Sequence, residues 1–331
     1  GTPGFDALTA ASGYTDNCGG SVTASLTGTL IEGDDCGWTV TYTFTVEDAC
    51  GNELTGQTIE HSGRDQTAPE FTVPSDITIC RDATCGYDAS LSNTNDVEDE
   101  RDNCSVGIEA FPTDDLTNLS SCDTVGYIIR KWTLTDDCGN ETVKYQTIWV
   151  QPVPRISVTV PDTIFCNNST VEFAIDSLVV SRGEVMYDLD VNYPTGLNGT
   201  LTNGQNPIIN ISDQLTNSTD SYQTATYRFR PYIQGKPGDP TCNAGTEVTM
   251  EIHVEPTARV ALTLSDTELC NGDSVNIELS TVTTAYSGIE FNVDAINSYP
   301  EITGFTDRTG LIVTDIITEA LRNSGDTARL V

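Results

Sequence analysis

Residues Trp38–Val46 read WTVTYTFTV, and this stretch decides the fold class. Its β-branched and aromatic residues alternate with threonine at the two-residue period of a strand that buries one face. Tyr127–Leu134 (YIIRKWTL) shows the same alternation less strictly. Seven further segments have strand composition: Thr142–Val150, Ile156–Val160, Thr170–Ile175, Ala225–Pro231, Glu247–Val254, Val260–Leu264 and Ser274–Leu279.

Turn-forming residues separate these strands, as in Asp136-Asp137-Cys138-Gly139-Asn140 and Asn203-Gly204. Helical periodicity is almost absent, and only Asp315–Arg322 is predicted as a helix. Many short strands joined by regular turns predict antiparallel β-sandwiches.

The chain also repeats itself. Asp16-Asn17-Cys18 returns as Asp102-Asn103-Cys104 after 86 residues, and Cys50-Gly51-Asn52-Glu53 returns after 88 residues at Cys138. Asp162-Thr163-x-x-Cys166-Asn167 returns after 104 residues at Asp266. Periods of this length are typical of whole small domains in tandem.

Short proline-containing linkers separate the repeats at Asp65–Pro69, Gln151–Pro154 and Glu255–Thr257. They predict four domains in a semi-rigid string, because links this short restrict swivelling. The predicted domains are 1–67, 68–152, 153–257 and 258–331, the first lacking its N-terminal part and the last its C-terminal part. The chain is therefore interpreted as a piece of a longer protein.

The motifs carry a family resemblance. Ile77-Thr78-Ile79-Cys80, Asp102-Asn103-Cys104 and Lys131–Asn140 (KWTLTDDCGN) resemble the HYR-type repeats of giant secreted Bacteroidota surface adhesins exported by the type IX route. That resemblance covers about residues 1–151, and residues 153–331 look like PKD-type repeats of the same proteins. It implies an all-β fold of tandem immunoglobulin-like antiparallel β-sandwiches in an extended string. It also implies an extracellular, non-enzymatic role.

Charge and cysteine content agree with an extracellular setting. The net charge is −34, which repels nucleic acid and anionic lipid, and no apolar run is long enough for membrane insertion. Eleven cysteines without a Cys-x-x-Cys pair are typical of disulfides in an oxidising compartment.

Period arithmetic predicts the disulfides. Cys18 and Cys36 are 18 residues apart, as are Cys104 and Cys122, so each pair is predicted to bond within its own repeat. Cys166 is predicted to pair with Cys242. Cys80 or Cys85 is left for Cys138, with a tight Cys80–Cys85 loop as the other alternative.

Two kinds of site remain open. The acidic run Asp96-Val97-Glu98-Asp99-Glu100-Arg101-Asp102 suits Ca²⁺, the one cofactor considered, but a solvated acidic loop that adds only solubility is the favoured interpretation. The candidate ligands there are Asp96, Glu98, Asp99, Glu100 and Asp102. The Asp-Ser/Thr-apolar triplet resembles a Bacteroidota O-glycosylation signal and occurs at Thr124, Thr163, Ser177, Ser274 and Thr327.

Motifs of an activated nucleophile, a zinc hydrolase or a phosphate loop are missing, so we expect no enzymatic activity. Trp132 is expected in a core. We expect a structural and adhesive segment of a very large secreted cell-surface or filament-forming protein. Its partners would be surface glycans, cell-surface proteins or further copies in a homo-oligomer or fibre. The alternatives are a carbohydrate-binding accessory region of a polysaccharide-degrading enzyme, or a subunit of a self-assembled fibre.

Overall fold

The computed structural model describes residues 2–325 and 327. The chain forms two compact units: Gly1–Ile79 with Asp88–Leu119 and Gly126–Val150, and Cys80–Tyr87 with Ser120–Val125 and Gln151–Val331. Strands dominate both units, and the only helices described are α1 (Ala7–Ala11) and α2 (Leu91–Thr94). The all-β, antiparallel fold class is therefore confirmed. The division into four domains stays a prediction.

The first unit begins with an antiparallel sheet of β1 (Thr23–Asp34), β2 (Gly37–Glu47) and β3 (Glu53–Gly63). β2 contains the WTVTYTFTV stretch. Its large residues Val40, Tyr42, Phe44 and Val46 are buried, whereas the threonines between them are half-buried, as the sequence alternation predicts. Helix α1 covers this face, with Ala10 packed against Phe44 and Val46. Asp6 caps the helix by accepting hydrogen bonds from two of its backbone N–H groups.

The same unit continues with a second set of strands: β4 (Glu70–Thr72), β5 (Ile77–Cys80), β6 (Glu98–Arg101), β7 (Phe111–Asp115), β8 (Gly126–Thr135) and β9 (Glu141–Gln151). β4 pairs with β6, and the larger sheet has the order β5-β9-β8-β7. Trp132 is fully buried with Phe71 and Leu134, which confirms its predicted core position.

The second unit contains the most complete sandwich. Its strands are β10 (Ile156–Thr159), β11 (Ile164–Phe165), β12 (Thr170–Ser177), β13 (Glu184–Asn192), β14 (Leu197–Asn198), β15 (Gly204–Pro207), β16 (Ile211–Gln214), β17 (Thr216–Asn217), β18 (Gln223–Gln234) and β19 (Val248–Val254). One sheet has the order β10-β12-β16 and the other β11-β19-β18-β13-β15, with β14 and β17 as a separate pair. β11 runs parallel to β19, whereas the neighbouring pairs are antiparallel. This arrangement matches immunoglobulin-type sandwiches, in which strands A, B and E face strands G, F and C.

Buried residues from both sheets make the core of this sandwich. Val171 and Phe173 come from β12, and Tyr187, Tyr227 and Phe229 come from the facing sheet. Phe173 lies 4.7 Å from the Tyr227 ring, centroid to centroid, in a tilted contact. Aromatic contacts of this kind stabilise a core beyond the area they bury.

The last part of the second unit repeats the same strands about one period later: β20 (Ala261–Leu264), β21 (Ser274–Ser280), β22 (Phe291–Val293), β23 (Ile302–Thr303), β24 (Arg308–Leu311), β25 (Ile316–Ala320) and β26 (Arg322–Asn323). They form the sheet β20-β21-β25 and the pairs β22-β24 and β23-β26. The order β20-β21-β25 reproduces β10-β12-β16, so the 104-residue sequence period is also a structural period.

The predicted helix at Asp315–Arg322 is wrong. Residues Ile316–Ala320 form β25, which pairs antiparallel with β21. Ile317 and Glu319 are buried and their neighbours along the strand are exposed, which is the period of a strand and not of a helix. The β-branched run Ile316-Ile317-Thr318 favours this strand.

Candidate functional site

Three carboxylates converge in the first unit. Asp65 follows β3, Asp102 follows β6, and Asp136 begins the turn between β8 and β9. One oxygen from each side chain lies within 4.8 Å of the others. Within residues 2–325 and 327, this is the one group of at least three His, Cys, Asp or Glu side chains so arranged.

Local hydrogen bonds hold each carboxylate in place. Asp136 Oδ1 accepts from the backbone N–H of Cys138 at 2.9 Å and of Asn140 at 2.7 Å. Asp102 Oδ2 accepts from the N–H groups of Cys104 and Ser105. Aspartate commonly closes turns in this way, so the recurring Asp-x-Cys motifs position two of the three carboxylates, Asp102 and Asp136.

Asp65 is held in a similar manner. Its Oδ1 atom accepts from the backbone N–H of Thr67 and from the side-chain amide of Asn103, both at 3.1 Å. The hydrogen bond from Asn103 lowers the pKa of the Asp65 carboxyl, and those from Ser105 and Cys104 lower the pKa of Asp102. Both groups are therefore ionised at neutral pH.

The remaining oxygens of two of these side chains lack partners. Asp65 Oδ2 and Asp102 Oδ1 are buried and accept no hydrogen bond. Buried polar atoms normally have a partner, and three adjacent negative charges repel one another. A divalent cation bound by oxygen ligands would resolve both problems, and Ca²⁺ prefers ligands of this kind. The residues thus fit a Ca²⁺ ion.

The cluster differs from the predicted ligand set, of which it includes only Asp102. Glu98, Asp99 and Glu100 lie in β6, where the register with β4 is irregular and Asp99 has a left-handed backbone conformation. Within the described residues, none of these three carboxylates belongs to a group of three brought within 4.8 Å of one another. Glu100 Oε1 accepts from the backbone N–H of Ala110, and Asp96 Oδ1 from that of Val97. Ca²⁺ binding by the contiguous acidic run therefore stays a prediction. Two of the three clustered aspartates, Asp102 and Asp136, lie two residues before a cysteine.

The structure contains three disulfides, and all the predicted pairings are wrong. Cys36 bonds to Cys138, Cys80 to Cys242 and Cys85 to Cys122, across 102, 162 and 37 residues of sequence respectively. Cys18, Cys50, Cys104, Cys166 and Cys270 are exposed and free. Neither Cys80 nor Cys85 pairs with Cys138, and they do not pair with each other.

Strand length explains the errors. Cys18 and Cys36 flank the 12-residue strand β1, so they lie at its opposite ends. At about 3.3 Å per residue such a strand is roughly 40 Å long, whereas bonded cysteines have Cα atoms about 4.4–6.8 Å apart. Cys104 and Cys122 flank β7 in the same way.

The Cys166–Cys242 prediction fails for the same reason. Cys166 directly follows β11, which pairs with the end of β19 at Val254, whereas Cys242 lies in the β18–β19 connection and pairs with Ile233. The two cysteines therefore lie toward opposite ends of β19. Equal spacing marks equivalent positions in two repeats and does not mark a bond.

The five predicted O-glycosylation positions fall on no common surface feature. Thr163, Ser177, Ser274 and Thr327 are exposed, and Thr124 is half-buried. Ser177 Oγ donates to the carbonyl oxygen of Val179 at 3.1 Å. Modification of these hydroxyls stays a prediction.

Sequence reasoning missed a contact that occurs twice in the second unit. Arg155 forms an ion pair with Asp123 at 3.0 Å, and Arg259, one period later, forms one with Asp220 at 3.3 Å. Each aspartate lies beside a short parallel bridge, Thr124 with Val180 and Ser221 with Thr284.

A second hydrogen bond repeats with it. Gln151 Oε1 accepts from the backbone N–H of Arg182 at 3.0 Å. Glu255, which occupies the equivalent position, accepts from the N–H groups of Tyr286 and Ser287 at 2.9 and 3.0 Å. The same two contacts therefore occur twice in the second unit, about one sequence period apart.

No protein-family model matches the chain, and no curated protein matches it. Solved structures with similar folds include the Escherichia coli adhesin FdeC, with 14% identity, a TM-score of 0.30 and coverage of 90% of this chain and 91% of that one. Extracellular cadherin domains 1–4 of protocadherin gamma B7 are 8% identical, with a TM-score of 0.36 and coverage of 92% of this chain and 84% of that one. Human CDH23 EC21–23 is 11% identical, with a TM-score of 0.30 and coverage of 78% of this chain and 91% of that one. The fold assignment rests on the strand order above. In the described residues, no helix has the length and apolar character needed to cross a membrane.

Proposed function

We propose that this chain is a load-bearing segment of a very large secreted surface adhesin, in which tandem sandwiches supply reach and mechanical strength. The observation that carries this proposal is that two of the three disulfides, Cys36–Cys138 and Cys80–Cys242, bond cysteines of different predicted domains. Cys36 belongs to the first repeat and Cys138 to the second, so their bond joins two successive repeats covalently. A bond inside one sandwich would stabilise that sandwich alone.

The same bonds support an extracellular location, because disulfides persist in oxidising, extracellular settings. A net charge of −34 keeps such a surface soluble and away from anionic lipid and nucleic acid. The recurrent Asp–Arg ion pairs and parallel backbone bridges of the second unit also support a tandem chain in which the same contacts recur at successive repeats. The partners we propose are surface glycans, cell-surface proteins or further copies of the chain.

The adhesive role is tested with beads that carry the whole chain, attached through its C-terminal end. We expect retention under flow on a mucin-coated surface or on a surface coated with the chain itself, at least tenfold above control beads. The control beads carry an unrelated protein of matched negative charge, because charge alone alters bead adhesion. Equal detachment of both bead types from both surfaces would contradict adhesion, and the choice of surface separates glycan binding from self-association.

Calcium belongs to the proposal as a stabiliser of the Asp65–Asp102–Asp136 cluster. Bound there, Ca²⁺ would offset two of the three negative charges and tie the linker residue Asp65 to two loops of the second repeat. A ligand that binds only the folded state stabilises it by about 2.7 kcal/mol at one hundred times its dissociation constant.

We therefore expect Ca²⁺ to raise the thermal unfolding midpoint of the wild-type chain and to give a saturable calorimetric titration. Both responses should be lost in the Asp65→Asn/Asp102→Asn variant, in which the amide oxygens can still accept the local hydrogen bonds. The matched control is Asp96→Asn/Glu98→Gln, which removes the same charge from the acidic run outside the cluster. An identical Ca²⁺ response in both variants would rule out the cluster as the site.

A further inference from the structure

Cys18 and Cys50 of the first repeat lie on neighbouring loops. Both are exposed, and neither is bonded to another cysteine in the part of the chain that the structure describes. They occupy the same motif positions as Cys104 and Cys138 in the second repeat. Of these four, only Cys138 is in a disulfide.

Each loop is held in a defined conformation by the aspartate two residues before its cysteine. Asp16 accepts from the backbone N–H of Cys18 and of Gly20, both at 2.9 Å. Asp48 accepts from the N–H groups of Cys50 and Asn52, also at 2.9 Å. These hydrogen bonds fix the backbone at Cys18 and at Cys50, so each thiol has a defined position in its loop.

The loops touch one another beside the cysteines. A methyl group placed on Gly20 would lie 2.9 Å from the Cβ atom of Ala49, the residue before Cys50. Glycine thus allows the backbone at residue 20 to approach the β2–β3 turn closely. The corresponding loops of the second repeat also meet, because the backbone N–H of Asp137 donates to Ser105 Oγ at 3.0 Å.

The difference between the repeats is the competing cysteine. In the second repeat Cys138 is bonded to Cys36, which leaves Cys104 free. In the first repeat Cys50 has no such partner, and it directly follows Ala49, the residue that the Gly20 backbone approaches. The chain between them contains β1 and β2, so a bond would close the N-terminal segment onto the β2–β3 turn.

We propose that Cys18 and Cys50 form a fourth disulfide, which anchors the segment containing α1 to the sheet it covers. The two thiols lose two electrons and two protons as the sulfur–sulfur bond forms. A disulfide oxidant, such as oxidised glutathione or a disulfide-bonded oxidoreductase, accepts them and leaves as two thiols. The segment otherwise rests on the packing of Ala10 and its neighbours against Phe44 and Val46.

The whole chain is incubated with oxidised glutathione, free thiols are alkylated, and peptides are mapped without reductant. We expect a peptide pair linked through Cys18 and Cys50, and a fall from five alkylated cysteines to three. Cys18→Ser should return Cys50 to the alkylated pool. Cys104→Ser and Cys166→Ser, which replace other free cysteines, should leave the linked pair unchanged.

Hydrogen exchange gives a second readout that does not depend on peptide linkage. Oxidation should slow exchange of the amides around α1 at least tenfold in the wild-type chain and leave it unchanged in Cys18→Ser. Continued alkylation of Cys18 and Cys50 while the other three disulfides are intact would overturn the bond, as would a link from either to a different cysteine. Unchanged exchange in a chain with the mapped bond would overturn the anchoring role.

Discussion

Reduction of the three disulfides is expected to double the length to which the chain can be stretched by force. The bonds provide a short covalent path: residues 1–36, then 122–138, then 80–85, and finally 242–331. This path contains about 150 residues, and a fully extended chain spans at most about 3.3–3.6 Å per residue. The oxidised chain should therefore reach roughly 500 Å and the reduced chain roughly 1,100 Å.

The effect is large because the two longest disulfide loops overlap. Cys80 lies within the loop closed by Cys36 and Cys138, and Cys138 lies within the loop closed by Cys80 and Cys242. Force therefore passes across both bonds and leaves most of the intervening strands unloaded. A bond that closed a loop inside one repeat would shield only part of that repeat.

The measurement is a single-molecule extension experiment with handles at the two ends, before and after addition of reductant. Cys80→Ser provides an intermediate case, because it reroutes the path through residues 138–242 and should give roughly 750 Å. Cys270→Ser, which replaces a cysteine that forms no bond, should behave as wild type. Extension to roughly 1,100 Å without reductant would contradict the cross-links and, with them, the load-bearing role.

The strands could be predicted because their determinants are local. In β2 the alternation of Val40, Tyr42, Phe44 and Val46 with threonine is itself the burial pattern of the strand. Trp132 was predicted in a core for the same reason, since its strand also alternates. Where local composition was ambiguous the prediction failed, as at Ile316–Ala320, where pairing with β21 decides for a strand.

The cross-links and the acidic cluster could not be predicted in this way. Asp65, Asp102 and Asp136 are distant in sequence, and only the folded sheets bring their oxygens within 4.8 Å. Cys36 and Cys138 meet for the same reason, across 102 residues. The repeat shows which positions are equivalent, whereas contacts between repeats depend on which loops the fold places side by side. Asp34 and Asp136 each accept a hydrogen bond from the backbone N–H of one of these two cysteines, so the sequence shows both turns and does not show that they meet.

Replacement of Asp213 by alanine is expected to destabilise the complete sandwich in the second unit by about 3–5 kcal/mol. Asp213 is fully buried in β16, opposite Val171 of β12. Its Oδ2 atom accepts from the hydroxyls of Tyr193 at 2.5 Å and Tyr227 at 2.6 Å. Its Oδ1 atom accepts from the backbone N–H and the hydroxyl of Thr200, at 2.6 and 3.0 Å.

The tyrosines are donors throughout the working pH range. Burial, reinforced by the hydrogen bond to Asp213, raises the pKa of both Tyr193 and Tyr227 well above the ordinary value. Alanine at position 213 would leave the buried Tyr227 hydroxyl without its acceptor. It would also remove the carboxylate that accepts from the half-buried Tyr193 hydroxyl and from the Thr200 N–H. Removing one member of a buried charged network costs about 3–5 kcal/mol, because the groups that remain lose their partner.

Hydrogen exchange of the β18 amides measures the loss of stability within this sandwich alone. A single unfolding transition of the whole chain would not, because the chain is not expected to unfold in one two-state step. A loss of about 3–5 kcal/mol corresponds to exchange on the order of 10²–10³ times faster, at about 1.4 kcal/mol per factor of ten. Asp176→Ala, at an exposed position on the neighbouring strand β12, is the matched control and should change stability by less than about 0.5 kcal/mol.

Asp213→Asn separates the two contributions of the carboxylate. The amide oxygen can still accept from one side of the network, but its NH₂ group would face donors on the other side, and the charge is lost. We therefore expect a loss between those of the control and of alanine, because charge-assisted hydrogen bonds are roughly twice as strong as neutral ones. If alanine at position 213 accelerates β18 exchange less than tenfold, the two tyrosines have other acceptors and the sandwich does not depend on this buried charge.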